Sequence, residues 1–147
     1  MRAVVTRVTS ASVEIGGEVR GRIGKGFLVL LGVSVEDTEA EAKKIADKIC
    51  CLRVFEDEAG KMNVNPKDAG AGLLIISQFT LYADAKSRRP GFTRAARPET
   101  AVPLYELVIS ECRARGFEVE TGEFGAEMQV ASVNDGPVTI ILDTKEL

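Results

Sequence analysis

Residues 128–142 read Met-Gln-Val-Ala-Ser-Val-Asn-Asp-Gly-Pro-Val-Thr-Ile-Ile-Leu. The apolar runs at its two ends, 128–133 and 138–142, are rich in β-branched residues and predict paired strands, with the polar residues between them as the turn of a closing hairpin. The bond between Gly136 and Pro137 leaves a second interpretation open, because only X-Pro bonds become cis at modest cost. A fixed cis bond would aim two neighbouring carbonyl groups the same way, and such a pair would hold an ammonium group.

Seven further stretches have the composition of strands. Paired glycines at positions 16 and 17 are typical of a two-residue hairpin turn between two of them. Residues 27–33 and 73–76 are continuously apolar, which predicts strands buried on both faces. The set comprises residues 3–9, 12–15, 18–20, 27–33, 53–55, 73–76 and 117–120.

Two helices are predicted alongside these strands. Thr38 and Glu41 have the spacing of a capping box, which opens a helix over residues 38–51. Apolar residues at helical spacing indicate a second helix over residues 99–115, with Pro103 in its first turn, where a missing N–H costs little. Strands outnumber helices, so the predicted fold class is α+β: a mainly antiparallel, barrel-like β-sheet covered by two helices.

Length and composition indicate a single domain over residues 1–147. A chain of 147 residues with 45% apolar residues is able to fill one core of that size. The first residues lack the apolar run of a signal peptide, and no stretch reaches the roughly 18 apolar residues of a membrane span. We therefore predict a soluble, cytoplasmic protein without a membrane partner.

The cysteine and histidine counts exclude several kinds of site. The chain has three cysteines, of which Cys50 and Cys51 are adjacent, and this indicates neither a disulfide framework nor a spaced metal site. The absence of histidine removes the Ser-His-Asp and Cys-His arrangements, the usual zinc sites and the commonest neutral-pH general base. No metal or cofactor is predicted, and any proton transfer must use a carboxylate, a hydroxyl, water or the substrate.

The basic charge of the chain is concentrated in one segment. Residues 86–97 carry a local charge of +5 without an acid, whereas the remaining 14 basic and 22 acidic residues leave −8. A basic segment on an acidic body is able to engage phosphates, and the alternative is a solvated loop with scattered partners. We define this basic segment by its five cations: Lys86, Arg88, Arg89, Arg94 and Arg97.

A polar stretch, Ser77-Gln78-Phe79-Thr80, follows the apolar run 73–76 directly. A rigid strand would thus deliver polar groups to the edge of the core, where free backbone N–H groups are able to hold a carbonyl oxygen or the oxyanion that develops from it. The alternative is a strand end capped by hydroxyls. Neither Ser77 nor Thr80 has a nearby histidine or lysine to activate it, which argues against a covalent mechanism.

Two motifs together carry a family resemblance. Ser77-Gln78-Phe79-Thr80-Leu81 and Asn134-Asp135-Gly136-Pro137-Val138-Thr139 resemble the paired signature of the D-aminoacyl-tRNA deacylases, formerly called D-tyrosyl-tRNA deacylases. Residues 7–13, 60–63 and 129–130 resemble the family at similar spacings. The resemblance covers the whole chain, and two long motifs in the right order are far more specific than either one alone.

This resemblance implies an activity and an assembly. The protein would hydrolyse the ester that joins a D-amino acid to the 3′-terminal adenosine of tRNA, with no DNA partner expected. The family is homodimeric, and its Gly-Pro motif, here Gly136-Pro137, is cis and reaches into the partner's pocket, where its carbonyls face the α-amino group and leave no room for an L side chain. Because glycine is achiral, clearance of glycine mischarged on tRNA(Ala) is a second implied role.

The resemblance also implies residues for the reaction. Members are thought to use backbone N–H groups of the Ser-Gln-Phe-Thr stretch for the carbonyl, assisted by the 2′-hydroxyl of the terminal ribose. Carried over, Ser77, Gln78 and Phe79 line the pocket, and Thr80 is the disputed candidate for a direct catalytic role.

Further substrate-binding positions follow from the same resemblance. Phe124 and Met128 are expected beside the adenine, although ordinary core packing is the alternative. Asn134 opens the second motif and is assigned to the substrate. Arg7 is expected near Gln78, where it would pin the cross-subunit loop, and an exposed strand arginine is the alternative.

The basic segment departs slightly from the family. Many members read Lys-Gly-x-Arg-Pro-Ser-Phe, whereas residues 86–92 read Lys-Ser-Arg-Arg-Pro-Gly-Phe, which keeps the charge and changes the loop. We assign Lys86, Arg88, Arg89 and Arg94 to the acceptor backbone of tRNA, a contact that positions without specifying sequence. Two other functions stay open: a non-catalytic module that binds aminoacyl-tRNA or an amino acid, similar to the editing appendage of an archaeal-type threonyl-tRNA synthetase, and a purely structural homodimer.

Overall fold

The computed structural model describes all residues from 1 to 147. It contains eight strands, two α-helices and two short 3-10 helices. In chain order these are β1 (Arg2–Ile15), β2 (Glu18–Ile23), β3 (Gly26–Gly32), α1 (Glu39–Cys51), β4 (Phe55–Glu56), β5 (Met62–Val64), β6 (Gly72–Ser77), a 3-10 helix (Phe79–Tyr82), α2 (Pro98–Ala114), β7 (Val119–Thr121), β8 (Gln129–Asp143) and a terminal 3-10 helix (Thr144–Glu146).

Six strands form one sheet in the order β2-β1-β3-β6-β7, with β8 on β1. The pairs that β1 makes with β2, β3 and β8 are antiparallel, whereas β3–β6 and β6–β7 are parallel. Strand β2 also contacts β6 and β7, which brings the sheet close to a closed barrel. Strands β4 and β5 form a separate two-stranded sheet. The predicted class, an α+β fold with a mainly antiparallel barrel-like sheet and two helices, is confirmed.

The sheet has an apolar layer on each face. In β3, Phe27, Val29 and Leu31 pack into the larger core that also holds the buried faces of α1 and α2. Leu28 points to the opposite face and joins a smaller cluster inside the curved sheet. The predicted burial of this strand on both faces is therefore confirmed, and it follows from the period-two alternation of strand side chains.

Most predicted elements lie within a few residues of the observed ones. Thr38 is the N-cap of α1, and its capping box with Glu41 is present. Gly16 and Gly17 both have positive φ and form the predicted turn between β1 and β2. Strands β4 and β7 begin about two residues later than the stretches predicted at 53–55 and 117–120.

Two predictions about strands were wrong. Residues 3–9 and 12–15 belong to one strand, β1, because β8 pairs with β1 along almost its whole length. The closing hairpin is also absent, since residues 128–133 and 138–142 do not pair with each other. Except for Met128, both runs belong to β8 and pair with β1, which satisfies their backbone groups without a reversal of the chain.

The position predicted for Pro103 was also wrong. Helix α2 begins at Pro98, so Pro103 lies in its second turn, inside the helix. Pro103 is exposed, so its ring does not displace core side chains. No helix of the protein has the length and apolar character needed to cross a bilayer.

Candidate functional site

A cavity of about 270 Å³ lies where β6 ends. The cavity brings the Ser77-Gln78-Phe79 stretch together with the segment that precedes and begins β8. Phe124 and Met128 both line this cavity. Phe124 also packs against the larger core and Met128 against the smaller cluster, so each side chain contacts both a core and the cavity. The complete lining is Ile76, Ser77, Gln78, Phe79, Phe124, Gly125, Ala126, Met128 and Val130.

Gln78 marks the point where the strand turns into a 3-10 helix. Its backbone N–H still donates to the Leu31 carbonyl at 2.7 Å, which completes the pairing of β6 with β3. Its side chain does not cap the helix that follows and instead donates from Nε2 to Thr80 Oγ1 at 2.6 Å. The N–H groups of Phe79 and Thr80 open this helix, and the first N–H groups of a helix have no partner within it. Two adjacent backbone donors therefore open the helix. Phe79 lines the cavity, whereas Thr80 is not among its lining residues.

A buried tyrosine supports this wall of the cavity from behind. The Tyr105 hydroxyl, on α2, donates to the Ile75 carbonyl in β6 at 2.6 Å, and burial raises its pKa above its usual range. The same ring lies 6.4 Å from the ring of Phe124, measured between centroids. From the sequence, Tyr105 is predicted only to lie within the helix over residues 99–115. Its hydroxyl could have indicated a hydrogen bond to the sheet, because the O–H group of a buried tyrosine requires an acceptor.

The Gly136-Pro137 segment lies elsewhere on the chain, in a bulge of β8. The register pairs Thr6 with Thr139 and Val8 with Asn134, so that Arg7 alone faces residues 135–138. The Gly136–Pro137 peptide bond is cis, and Gly136 has a φ of 122°, a region that favours glycine. This bulge does not line the 270 Å³ cavity of its own chain.

Arg7 forms a hydrogen bond with the bulge. Its side chain is buried, with the residue 5% exposed, so the interpretation as an exposed strand arginine was wrong. Its Nη1 donates to the Val54 carbonyl at 2.6 Å, and its Nε lies 3.2 Å from the Asp135 carbonyl oxygen. Arg7 and Gln78 share no hydrogen bond within the chain, so their predicted proximity stays a prediction.

The basic segment forms an exposed loop beside the 3-10 helix. A pair of backbone hydrogen bonds of 2.7 and 2.9 Å between Asp84 and Gly91 closes its base, and Ser34 pairs with Ala95 further along. The five cations of the segment are exposed, and none forms an ion pair with an acid of the chain. Their charge is therefore free for an external anion. No group of three or more His, Cys, Asp or Glu side chains gathers into a metal-binding cluster.

Comparison with known proteins gives a consistent result. A sequence model described as D-Tyr-tRNA(Tyr) deacylase matches residues 4–143. The D-aminoacyl-tRNA deacylase of Symbiobacterium thermophilum is 57% identical over 147 residues, covering 99% of this chain and 97% of the relative. That of Thermus aquaticus is 56% identical, with the same coverage of both chains.

Solved structures agree with the fold. One named "c-Myc DNA Unwinding Element Binding Protein" superposes with a TM-score of 0.92 at 45% identity, covering 97% of this chain and 98% of that one. A second, described as a probable eukaryotic D-amino acid tRNA deacylase, has a TM-score of 0.84 at 15% identity, covering 96% and 97%, and supports the fold alone. The DNA-binding name concerns that protein, and no DNA partner follows from it for this chain.

The family match and these relatives define an ester hydrolase that acts on aminoacyl-tRNA. More particularly, the chain belongs to the D-aminoacyl-tRNA deacylase family, since the family match and the relatives span nearly all of it. The resemblance seen in the two motifs is thereby confirmed, as is the prediction of an enzyme that cleaves the ester of D-aminoacyl-tRNA.

Proposed function

We propose that the aminoacylated 3′ end of tRNA enters the 270 Å³ cavity and that the backbone N–H groups of Phe79 and Thr80 receive the ester carbonyl. The observation that carries this proposal is the uncapped start of the 3-10 helix beside the cavity, where Gln78 turns its side chain away. Donors fixed by a rigid element stabilise an oxyanion without reorganising as the charge develops.

The chemistry then needs no activated side chain. Water attacks the ester carbon, the charge of the tetrahedral intermediate rests on the two N–H groups, and the bond to the ribose oxygen breaks. The leaving oxygen takes the proton that the attacking water releases, and the neighbouring 2′-hydroxyl of the ribose relays it. Thr80 Oγ1 already accepts a hydrogen bond from Gln78, which supports a positioning part for Thr80 and not attack on the ester. The chain offers no histidine for general base catalysis.

We assign the terminal adenine to Phe124 and Met128. Both side chains line the cavity together with the Ser77-Gln78-Phe79 stretch, and an aromatic ring and a thioether are adaptable partners for a flat base. The amino acid would then lie toward Gln78 and the two N–H groups. Ser77 completes this end of the cavity as a polar wall.

We further propose that handedness is checked by a second copy of the chain, as part of a homodimer. The Gly136-Pro137 bulge does not line the cavity of its own chain, so we infer that it meets a substrate in the cavity of another subunit. The bulge lies on β8, a sheet-edge strand with Val133 and Ile141 exposed by 56% and 74%, and such a strand favours association. Asn134, exposed on the same strand, would accompany the bulge into the partner's site.

Rejection of L substrates would rest on main-chain atoms. Carbonyl groups of the bulge would accept from the α-ammonium of a D-aminoacyl group, and an L side chain would then collide with the bulge. Hard backbone contacts discriminate more sharply than a pocket that prefers one side chain. Glycine has no side chain to collide, so glycine mischarged on tRNA(Ala) would also be cleared.

The remaining assignments follow from charge and packing. Lys86, Arg88, Arg89 and Arg94 would contact phosphates of the acceptor end, because they are exposed and unpaired. The larger core draws residues from Met1 to Leu142, which supports one catalytic domain over residues 1–147. A substrate of this kind is present where translation occurs, so we place the protein in the cytoplasm.

Two assays test this proposal. D-tyrosyl-tRNA and L-tyrosyl-tRNA are incubated with the protein, and release of D-tyrosine alone is the expected result. Equal release of both would contradict the filter. The second assay is complementation: Gly136→Ala should displace the bulge and Ala126→Trp should fill the cavity, so each variant alone is expected to lose most of its activity. A mixed dimer restores one intact cavity facing one intact bulge only if the filter acts between subunits, and no restoration would contradict that arrangement.

A further inference from the structure

Two phenylalanines form an exposed aromatic pair that neither core contains. The rings of Phe79 and Phe92 meet edge to face, with centroids 5.1 Å apart and planes at 71°. Phe79 is 53% exposed and Phe92 is 37% exposed. Neither belongs to an apolar cluster of the protein. Exposed apolar surface of this kind, fixed by ring-to-ring contact, indicates a binding surface more than packing.

The position of the pair links two parts of the proposed site. Phe79 is the first residue of the 3-10 helix and lines the 270 Å³ cavity. Phe92 follows Gly91, whose backbone pairs with Asp84 to close the base of the basic loop. The pair therefore spans the distance from the cavity mouth to the basic segment, with one ring on each.

The basic residues near the Phe79–Phe92 pair indicate which class of molecule binds there. Arg88 and Arg89 lie in the loop before Phe92 and Arg94 lies after it, and none of these has an acidic partner in the chain. Exposed aromatic rings among unpaired cations are the combination with which proteins bind single-stranded nucleic acid, the cations on phosphates and the rings on bases.

We propose that the Phe79–Phe92 pair is a stacking platform for the unpaired base that immediately precedes the terminal adenosine of tRNA. This inference rests on the proposed placement of the adenosine in the cavity. A strand whose last nucleotide occupies the cavity and whose phosphates lie on the basic segment must pass over the two rings. Stacking on them is tolerant of base identity, so the platform positions the substrate without reading its sequence.

A thermodynamic cycle tests the platform. Phe92→Leu keeps an apolar side chain of similar bulk without a ring face, and Phe92→Tyr is the matched control that restores the ring. Each protein is assayed on D-tyrosyl-tRNA and on the same tRNA, chemically acylated, with an abasic nucleotide before the terminal adenosine. Phe92→Leu is expected to lower kcat/KM for the intact tRNA about tenfold, mostly through KM, and Phe92→Tyr to retain it.

The decisive outcome is non-additivity. The abasic tRNA should lose a similar factor with the wild-type protein and lose little more with Phe92→Leu, because the same contact is removed from both sides. Additive losses, or no loss in Phe92→Leu, would overturn the platform, as would a change in oligomeric state of that variant in sedimentation, which would assign the pair to a second copy. A wild-type protein inactive on intact D-tyrosyl-tRNA would overturn the proposed function itself, so the two failures are distinguishable.

Discussion

The Nε atom of Arg7 contacts Asp135 twice, with its carbonyl oxygen at 3.2 Å and its carboxylate Oδ2 at 3.3 Å. The same guanidinium donates from Nη1 to the Val54 carbonyl at 2.6 Å. One buried cation thus joins the segment before β4 to the bulge that carries Gly136. Because a planar guanidinium presents its donors in fixed directions, it sets the orientation of the bulge as well as its position.

Replacement of Arg7 by lysine should disturb this arrangement. A single ammonium on a flexible stem is unable to reach both carbonyls, so the bulge loses its fixed orientation. We expect kcat/KM for D-tyrosyl-tRNA to fall by about tenfold or more, since misplacement of a positioning group costs about that factor. Arg20→Lys, at an exposed strand position with a distant ion pair to Glu123, is the control and should leave the rate unchanged. Unchanged activity in Arg7→Lys would remove Arg7 from the site.

Substitution of Gly136 by alanine tests the bulge directly. A Cβ there would lie 3.0 Å from Arg7 Nη2 and 2.8 Å from Val138 Cγ2, in a backbone conformation that side chains rarely adopt. Deacylation of D-tyrosyl-tRNA should fall by about tenfold or more as the segment shifts. Gly60→Ala is the control, because Gly60 also has a positive φ but nothing within 4 Å of the added Cβ. Both variants should lose stability of order 1–2 kcal/mol in chemical unfolding. Loss of activity in both alike would show that the effect is not specific to the bulge.

Removal of charge from the basic segment should weaken substrate binding in a salt-dependent manner. In Arg88→Ala/Arg89→Ala we expect KM to rise for every D-aminoacyl-tRNA, with the slope of log KM against log salt reduced by roughly 1.4 for two lost single-strand phosphate contacts. Lys43→Ala/Lys48→Ala removes equal charge from exposed positions on α1 and should change neither quantity. An unchanged KM at low salt in the arginine double variant would place the tRNA on another surface.

The capping box of α1 should make the free energy of unfolding depend on pH. Thr38 Oγ1 and the Thr38 backbone N–H donate to Glu41 Oε2 at 2.6 and 2.7 Å, and these hydrogen bonds lower the pKa of Glu41. A carboxyl group whose pKa is lowered in the folded state stabilises the folded protein at pH values above its unfolded pKa. This stabilisation is lost as the pH falls through the folded-state pKa.

Thr38→Ala should therefore cost about 1 kcal/mol of unfolding free energy in urea titrations at pH 7. Glu41→Ala should destabilise at pH 7 and approach the wild type as the pH falls through the lowered folded-state pKa of Glu41, below which the carboxyl is protonated in both states. Glu39→Ala is the matched control, because Glu39 lies in the same turn and accepts no side-chain hydrogen bond. A destabilisation of Glu41→Ala that is constant with pH would contradict the electrostatic origin.

Tyr105→Phe tests the support behind the cavity. The change leaves the Ile75 carbonyl buried without its donor while keeping the ring that faces Phe124. An unsatisfied buried acceptor costs of order 1–3 kcal/mol, which thermal or chemical unfolding would detect. Because Ile75 precedes the site by two residues, we also expect a lower kcat for D-tyrosyl-tRNA. Wild-type stability in this variant would mean that water replaces the hydroxyl.

The local features of the chain were predictable from sequence because they depend on neighbouring residues alone. Continuous apolar runs identified β3 and β6, and the spacing of Thr38 and Glu41 identified the start of α1. The charge of the basic segment and the lack of histidine are properties of composition. The two motifs sufficed for the family, since each is a run of consecutive residues.

Tertiary structure decided what these features contact. Sequence patterns describe the preference of a strand for an extended state, but the whole sheet selects its partner. Residues 129–133 and 138–142 both pair with β1, which lies more than 110 positions away along the chain. Because both runs pair with β1, the residues between them form a bulge and not the expected hairpin turn. Arg7 is buried against this bulge, and Gly136 does not line the cavity of its own chain. The amino-acid sequence by itself determined the family and the chemical groups available. Only the packing of the sheet decided where they meet, because pairing and burial depend on residues that are distant along the chain.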